Sequence, residues 1–400
     1  MTRYNFDKIT NRKGTNCLKY DFAVERGKPA DVLPLWVADM DFPVSEEITK
    51  SLHAAVEHGI YGYTQPKDAY YNAVMNWMER NHNWKTEREW IVKTPGVVFA
   101  LGAAVKAFTD PGDAILIQNP VYYPFTNIIR DNDRRVVDNT LIYEKTAGQS
   151  GDNGYRIDFE DFERKLEQEH IKLFILCNPH NPVGRVWTVE ELQQLGEICL
   201  RHHVIVVSDE IHNDFVYPGY EHTVFATVDP RFAEFTVTCT APSKTFNLAG
   251  LQISNIFIPN EKLRKAFQTE IDKTGYDEPN ALGIVACEAA YRAGEDWLDQ
   301  LRAYLLKNLN FLRNFLQEKI PQIHLVEPEG TYLVWLDCSE LGITGKELDQ
   351  FIVDKAGLWL DGGSMFGPSG AAFQRVNIAC PRATLQLALD KLKTAVDSLK

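Results

Sequence analysis

Short apolar runs that stop abruptly at polar residues recur in the middle of the chain. Four of them, rich in β-branched side chains, cover residues 114–117, 173–177, 204–207 and 235–239. Continuous apolar runs of this length are typical of strands that are buried on both faces in a parallel sheet. Ligands of such sheets bind at the carboxyl ends of the strands. The polar clusters that follow the runs are therefore the first candidates for chemistry.

Helical patterns separate these runs. The clearest covers residues 188–201, where Thr188 and Glu191 have the spacing of a capping box and apolar residues recur on one face. Gly96 precedes a second pattern that continues to about residue 107. Strands that alternate with helices predict an α/β fold with a doubly wound, mostly parallel sheet.

The pattern changes from about residue 280 onward. A long helical stretch covers residues 281–319, and strand-like runs follow at 330–336 and 373–378. We interpret this part, together with the N-terminal segment, as a smaller α+β domain. The predicted organisation is a large domain of residues 48–285 and a small domain of residues 1–47 and 286–400.

Composition narrows the class of protein. The 400 residues include 42 basic and 55 acidic ones, and this net charge of −13 argues against nucleic acid or an anionic membrane as the main partner. The seven cysteines have no C-x-x-C spacing, which favours reduced thiols. The first residues contain no apolar signal segment, and no run is long enough to span a membrane. We therefore expect a cytoplasmic protein.

No metal site is expected. His202 and His203 are adjacent, so their side chains point apart at a helix end, and no carboxylate cluster follows them. Solvated residues at the end of a helix are the better interpretation.

Four strand-end elements stand out in combination. They are Gly96, the Asn181–Gly184 loop, Asp209 and Lys244. Each alone has an ordinary explanation as a turn, a cap or a surface charge. An acid and a lysine on neighbouring strand ends, with a helix N-terminus for a phosphate, are however the groups that a pyridoxal phosphate site needs. The lysine would bind the cofactor covalently, the carboxylate would keep its pyridine nitrogen protonated, and Ser243 would help to hold its phosphate.

Longer motifs carry a family resemblance. Residues 181–184, 208–212 and 243–247 resemble the fold-type I aminotransferase superfamily, whose members are aspartate aminotransferase-like enzymes dependent on pyridoxal phosphate (PLP). Residues 36–42, 61–63 and 241–251 resemble its cystathionine β-lyase (C–S lyase) branch, of the MalY, PatB and cystalysin type. The similarity extends from about residue 4 to the C-terminus.

The resemblance implies a set of site residues. The cofactor-binding positions it implies are Gly96, Val97, Val98, Tyr122, Asn181, Asp209, His212, Ser243 and Lys244. The catalytic positions are Lys244, Asp209 and Tyr63, and the substrate-binding positions are Arg375, Asn181, Val37, Ala38 and Tyr63.

Individual roles also follow from the resemblance. Tyr122 matches the aromatic residue that stacks on the cofactor ring, and Asn181 matches the asparagine that binds the 3-oxygen of the cofactor. Arg375 matches the arginine that binds the substrate carboxylate, for which a bidentate guanidinium suits better than lysine. Tyr63 matches a tyrosine that the family supplies across a dimer interface, which implies a homodimer with shared active sites.

Two positions depart from the aminotransferase pattern and agree with the lyase branch. His212 occupies a position that is usually tyrosine, and Gln252 one that is usually a phosphate-binding arginine. The sequence thus predicts a PLP-dependent β-lyase that cleaves L-cystathionine or related cysteine S-conjugates to thiol, pyruvate and ammonia. Two alternatives remain, an aminotransferase on the same scaffold and a regulatory or binding protein that keeps the cofactor fold.

Overall fold

The computed structural model describes residues 3–145 and 153–399. Its strands are β1 Leu33–Pro34, β2 Ile91–Thr94, β3 Ala114–Ile117, β4 Arg135–Asp138, β5 Ile142–Tyr143, β6 Tyr155–Arg156, β7 Leu173–Cys177, β8 Ile205–Asp209, β9 Thr236–Thr240, β10 Ser254–Phe257, β11 His324–Val326, β12 Leu333–Asp337, β13 Leu358–Trp359, β14 Asp361–Gly362 and β15 Phe373–Asn377. Its α-helices are α1 Leu18–Asp21, α2 Glu46–His58, α3 Asp68–His82, α4 Val97–Phe108, α5 Pro124–Asp131, α6 Phe159–Gln168, α7 Val189–Arg201, α8 Phe225–Val228, α9 Pro242–Thr245, α10 Glu261–Asp272, α11 Ala281–Ala293, α12 Glu295–Lys319, α13 Gly345–Asp354 and α14 Arg382–Asp397. Short 3-10 helices lie at Arg88–Trp90, Phe232–Phe235, Ala249–Leu251, Ser339–Leu341, Gly363–Phe366 and Pro368–Gly370.

A seven-stranded sheet forms the centre of the larger part of the molecule. Its strand order is β2-β10-β9-β8-β7-β3-β4, in which β9, β8, β7, β3 and β4 are parallel and β10 is antiparallel to both of its neighbours. The α/β class and the mostly parallel sheet are therefore confirmed. The four apolar runs identified in the sequence are all strands of this sheet.

Side-chain alternation explains why this sheet has helices on both faces. In β7, Phe174 and Leu176 belong to a core with residues of α6 and α7, whereas Leu173 and Ile175 belong to a second core with residues of α4, α5 and α10. Both sets are buried because successive side chains of a strand point to opposite faces. The predicted helix 188–201 is α7, and Thr188 and Glu191 form the reciprocal hydrogen bonds of the capping box.

A second sheet of four antiparallel strands, in the order β11-β12-β15-β14, lies in the C-terminal part. The N-terminal segment joins this part, since β1 pairs in parallel with β13. This arrangement accords with the small α+β domain, whose exact boundaries stay a prediction. No helix among the described residues is long and apolar enough to cross a membrane.

The continuous helix predicted for 281–319 is wrong in one respect. The chain forms two helices, α11 and α12, which meet at Gly294. A Cβ at Gly294 would lie 2.4 Å from the ring of Phe246, so glycine is needed there for close packing against the segment that follows Lys244. Apolar periodicity alone did not reveal this break, because the pattern continues across it.

Candidate active site

A cavity of about 160 Å³ opens where β7, β8 and β9 end. These ends lie side by side because Cys177, Asp209 and Cys239 are in register across the three strands. The residues that line the cavity are Ala38, Pro95, Gly96, Val97, Val98, Tyr122, Cys177, Asn181, Asp209, Ile211, His212, Ser243, Lys244, Ala249 and Ile253. The cavity thus unites every predicted cofactor-binding residue.

Asp209 is the last residue of β8 and lines the cavity, and it is almost fully buried. The N–H of Ile211 donates to Asp209 Oδ1 at 3.2 Å. Burial raises the pKa of Asp209 to about 7, although this N–H and the charge of Lys244 act in the opposite direction. A cation next to the carboxylate would restore its ionised form, and a protonated pyridine nitrogen is such a cation.

Lys244 is the third residue of the four-residue helix α9, which directly follows β9. Its Nζ forms no hydrogen bond or ion pair with any residue that the structure describes. Burial lowers the pKa of Lys244 to about 8, with Arg375 acting in the same direction and Asp39 and Asp209 against it. A large fraction of this amine is therefore neutral near pH 8, as a nucleophile or a general base requires.

The N-terminus of α4 supplies donors for an anion. Gly96 precedes the first turn, and Gly96, Val97 and Val98 all line the cavity. N–H groups in the first turn of a helix have no acceptor within the helix and favour phosphate. The turn before the helix is held locally, because Thr94 Oγ1 donates to the carbonyl of Gly96 at 3.1 Å.

Arg375 lies beside the cavity and is linked to it through Asn181. One terminal nitrogen of Arg375 donates to Asn181 Oδ1 at 3.0 Å. The other donates to the carbonyl of Trp36 at 3.0 Å and to the carboxylate of Asp361, whereas the buried Nε forms no hydrogen bond with a described residue. Arg375 is only 3% exposed, so its guanidinium is held in one orientation, and two of its five N–H groups, one of them on Nε, have no acceptor among the described residues.

The segment around Val37 and Ala38 borders Arg375. The carbonyls of Val37 and Ala38 accept hydrogen bonds from Asn377 at 2.6 Å and from Tyr332 at 2.7 Å. Their N–H groups donate to no acceptor in the part of the chain that the structure describes. Ala38 lines the cavity, whereas Val37 does not.

His212 and Tyr122 complete the lining. Burial lowers the pKa of His212 to about 3, with the charges of Lys244 and Arg375 acting in the same direction, so its ring is neutral. Its Nδ1 is buried and has no partner among the described residues. Burial also raises the pKa of Tyr122, which keeps this ring uncharged. Both rings are therefore uncharged surfaces for a planar ligand.

Tyr63, a predicted site residue, and Gln252, a departure from the aminotransferase pattern, both lie away from the cavity. Tyr63 is 95% exposed on a segment without regular secondary structure, so a single chain does not bring it to the site. Gln252, where an aminotransferase usually has arginine, is exposed and does not line the cavity. Backbone groups of α4 and the hydroxyl of Ser243 are therefore the anion-binding groups that the cavity offers.

Two acids that act on the predicted cations were not among the predicted site residues. Asp39 is bound by Arg12 and raises the pKa of Lys244. It lies within the 36–42 motif, so its place near the site could have been predicted from that motif. Asp361 pairs with Arg375 because the two residues are directly opposite each other in β14 and β15. No pattern in the sequence indicates that register.

No group of three or more acidic, histidine or cysteine side chains suited to a metal ion occurs among residues 3–145 and 153–399. His202, at the end of α7, lies 3.2 Å from a carboxylate oxygen of Glu163.

Comparison with known proteins gives the family. Residues 30–392 match the family Aminotransferase class I and II, and the chain belongs to this family. It is 46% identical over 392 residues to the cystathionine β-lyase PatB of Bacillus subtilis (strain 168), and the aligned region covers 98% of this chain and 100% of PatB.

Two solved structures are also similar over the whole length. Cystalysin from Treponema denticola, which contains a pyridoxal 5′-phosphate cofactor, has a TM-score of 0.94 and 38% identity and covers 99% of this chain and 100% of cystalysin. The PLP-bound C–S lyase from Staphylococcus hominis has a TM-score of 0.91 and 35% identity and covers 98% of both chains. The resemblance drawn from the motifs is therefore confirmed.

Proposed function

We propose that this chain is a PLP-dependent carbon–sulfur β-lyase that cleaves L-cystathionine or related cysteine S-conjugates to a thiol, pyruvate and ammonia. The observation that carries the proposal is the meeting of Lys244 and Asp209 in one cavity, in a chain 46% identical to a cystathionine β-lyase. The four classes of group that PLP needs are present: an amine without a partner among the described residues, a buried acid, a helix N-terminus and uncharged rings.

Each residue has a role that follows from its position. Lys244 would bind the cofactor covalently and, once released, would take the proton from the α-carbon of the substrate. Asp209 would hold the pyridine nitrogen protonated, and Ser243 with the first turn of α4 would hold the phosphate. When bound, PLP withdraws electrons from the α-carbon, so that a thiolate on the β-carbon can leave.

Arg375 would bind the α-carboxylate of the substrate. Its guanidinium is oriented by Asn181 and Asp361, and its Nε donates to no acceptor in the described part of the chain. A charge-assisted bidentate pair fixes both the position and the direction of a carboxylate. Asn181 lines the cavity and accepts a hydrogen bond from Arg375. It therefore connects the part of the site that would hold the cofactor with the part that would hold the substrate.

Product analysis tests the proposal. Purified holoenzyme is incubated with L-cystathionine without added keto acid, and thiol and pyruvate are measured over time. We expect the two products in equal amounts from the wild type and none from Lys244→Ala. Lys265→Ala, which removes an exposed lysine of α10, serves as the matched control and should keep wild-type rates.

The same assay separates the aminotransferase alternative. An aminotransferase would turn over only with an added keto acid and would release neither thiol nor pyruvate from cystathionine. If the wild type behaves in that way, the lyase proposal is wrong while the assignment of the cofactor site stands. A panel of β-substituted amino acids in the same assay then identifies the preferred leaving group.

We propose in addition that the enzyme is a homodimer in which each subunit contributes Tyr63 to the site of the other. The support is the exposure of a short apolar segment, in which Ile60, Tyr61 and Tyr63 are 73%, 62% and 95% exposed. Mixing inactive Lys244→Ala chains with Tyr63→Phe chains under subunit exchange should restore activity if sites are shared. Recovery of no more than the sum of the two separate activities would contradict this proposal.

We also propose a cytoplasmic location. All seven cysteines are free, and six of them are buried. Reduced thiols are usual in the cytoplasm. Cell fractionation followed by the β-lyase assay checks this location.

A further inference from the structure

Lys244 lies on a helix that is too short to hold itself in place. Helix α9 has four residues, and the N–H of Phe246 donates to the carbonyl of Pro242 at 2.9 Å. Isolated turns of this length are unstable in water. The orientation of Lys244 must therefore come from contacts of the neighbouring side chains with the rest of the protein.

The three residues after Lys244 are each anchored to a different part of the chain. Phe246 packs edge-on against Trp77, with ring centroids 5.4 Å apart. Asn247 exchanges hydrogen bonds with the backbone of Met40 at 2.9 and 3.0 Å. Thr245, the residue adjacent to Lys244, is fully buried, and its Oγ1 donates to Asp214 Oδ2 at 2.6 Å.

Asp214 is held by several elements at once. Its Oδ1 accepts a hydrogen bond from Trp77 Nε1 at 3.2 Å and lies 3.0 Å from His82 Nε2, both on α3. Its backbone carbonyl accepts from Arg302 Nε of α12 at 2.7 Å, and a terminal nitrogen of Arg302 lies 3.9 Å from Oδ1. The carboxylate is 2% exposed. We call Trp77, His82, Asp214, Thr245 and Arg302 the Asp214 cluster.

The charge of this carboxylate strengthens the anchor. Burial by itself raises the pKa of Asp214, but the hydrogen bond and charge of His82, the charge of Arg302 and the hydrogen bond from Thr245 outweigh burial and hold it below its usual value. The acceptor of the Thr245 hydroxyl is therefore ionised. Charge-assisted hydrogen bonds are shorter and about twice as strong as neutral ones, so this bond fixes Thr245 more firmly than a neutral acceptor would.

We propose that Asp214 and Thr245 are positioning residues, which hold α9 so that the amine of Lys244 points into the cofactor cavity. The proposal rests on the function assigned to Lys244 above. Misplacing a reacting group by about 1 Å can cost about 10²-fold in rate. Loss of the anchor should therefore slow the proton transfer by Lys244 while substrate binding at Arg375 is unaffected.

The experiment compares substitutions at both ends of the hydrogen bond in the holoenzyme. Thr245→Val removes the hydroxyl at nearly constant volume, and we expect kcat to fall at least tenfold with KM changed less than threefold. The visible absorbance of the lysine-bound cofactor, titrated against pH, should also move its midpoint. Thr245→Ser keeps a hydroxyl and should restore both properties. Wild-type activity in the same assay verifies the proposed function independently.

Thr236→Val is the matched control. Thr236 is fully buried like Thr245, but its hydroxyl donates to the backbone carbonyl of Phe232, at 2.6 Å, and not to a carboxylate. It lies at the end of β9 opposite to α9. It should lower the melting temperature without changing kcat or the absorbance midpoint. If Thr245→Val lowers kcat no more than Thr236→Val does, or if Thr245→Ser is as impaired as Thr245→Val, the proposal is wrong.

Asp214→Asn approaches the same bond from the carboxylate side. If the bond is what matters, the double variant Asp214→Asn/Thr245→Val should be no slower than the slower single variant, since both substitutions act on the same hydrogen bond. Independent effects that multiply in the double variant would overturn the proposal. Should Asp214→Asn fail to fold, the comparison of Thr245→Val with Thr245→Ser decides the question by itself.

Discussion

Replacing Arg375 by lysine separates the shape of the guanidinium from its charge. Arg375 donates to Asn181, to the carbonyl of Trp36 and to Asp361, and its buried Nε has no acceptor among the residues that the structure describes. Lysine keeps the positive charge beside Asp361 but cannot form the planar bidentate pair with a substrate carboxylate. The substitution therefore tests substrate recognition with little change in local charge.

The magnitude follows from the number of donors lost. A hydrogen bond to a charged group contributes about 1.5–3 kcal/mol, and about 1.4 kcal/mol corresponds to a factor of ten. Losing one of the two bonds to the carboxylate should lower kcat/KM for L-cystathionine by roughly 10- to 100-fold, mostly through KM. Arg375→Ala should in addition lose stability, about 3–5 kcal/mol, because the buried Asp361 loses its partner.

The assay is steady-state release of pyruvate, with the free energy of unfolding measured in urea for each variant. Arg382→Lys is the control, since Arg382 is hydrogen-bonded to Asn308 at 2.9 Å and does not line the cavity. An Arg375→Lys variant with kcat/KM within about threefold of the wild type would refute the assigned role. Equal losses in Arg375→Lys and Arg382→Lys would refute it as well.

Three further predictions concern acid, base and packing. Burial raises the folded-state pKa of Asp209 to about 7, so between about pH 4 and 7 the cofactor-free folded protein binds more protons than the unfolded chain. Its free energy of unfolding should therefore decrease as the pH rises through that range. Asp209→Asn should make this decrease smaller, as measured by urea unfolding at each pH. Because the pKa of Lys244 is about 8, modification of its amine in the cofactor-free protein should accelerate as pH rises through 8, and a midpoint near 10.5 would contradict its burial. A Cβ at Gly196 would lie 2.0 Å from the Phe232 ring. Gly196→Ala should therefore lower the melting temperature but leave kcat of the folded fraction unchanged. An unchanged melting temperature would show that the ring can move.

The meeting of Asn181, Asp209 and Lys244 in one cavity could be predicted from the sequence, because these residues follow or end strands of one sheet. Asp209 is the last residue of β8 and Lys244 lies on the short helix that follows β9, and parallel strands of one sheet place such ends at the same edge. The order of the motifs along the chain was thus enough to predict that Asn181, Asp209 and Lys244 lie close together. The fold class followed from the same runs, since continuous apolar strands require helices on both faces.

Residues that act through long-range pairing could not be predicted in this way. Asp361 meets Arg375 only through the register of two antiparallel strands, and register depends on the hydrogen bonds of the folded sheet. Asp214 meets Thr245 within a cluster that also takes residues from α3 and α12. The break at Gly294 depends on the position of the Phe246 ring. In each case the decisive partner is distant in sequence, so local patterns carry no trace of it.

The charges in the cavity explain how an acidic protein can bind an anionic cofactor and a zwitterionic substrate. Two cations, Lys244 and Arg375, face three carboxylates, Asp209, Asp39 and Asp361, so the charges around the cavity nearly balance although the whole chain has a net charge of −13. Burial is the largest influence on both Asp209 and Lys244, and it moves each towards its neutral form. A ligand that places a cation beside Asp209 and an anion at the N-terminus of α4 restores the ionised carboxylate and uses the free helix donors. A pyridinium ring with a phosphate arm satisfies both conditions at once, whereas a simple anion or a simple cation satisfies only one.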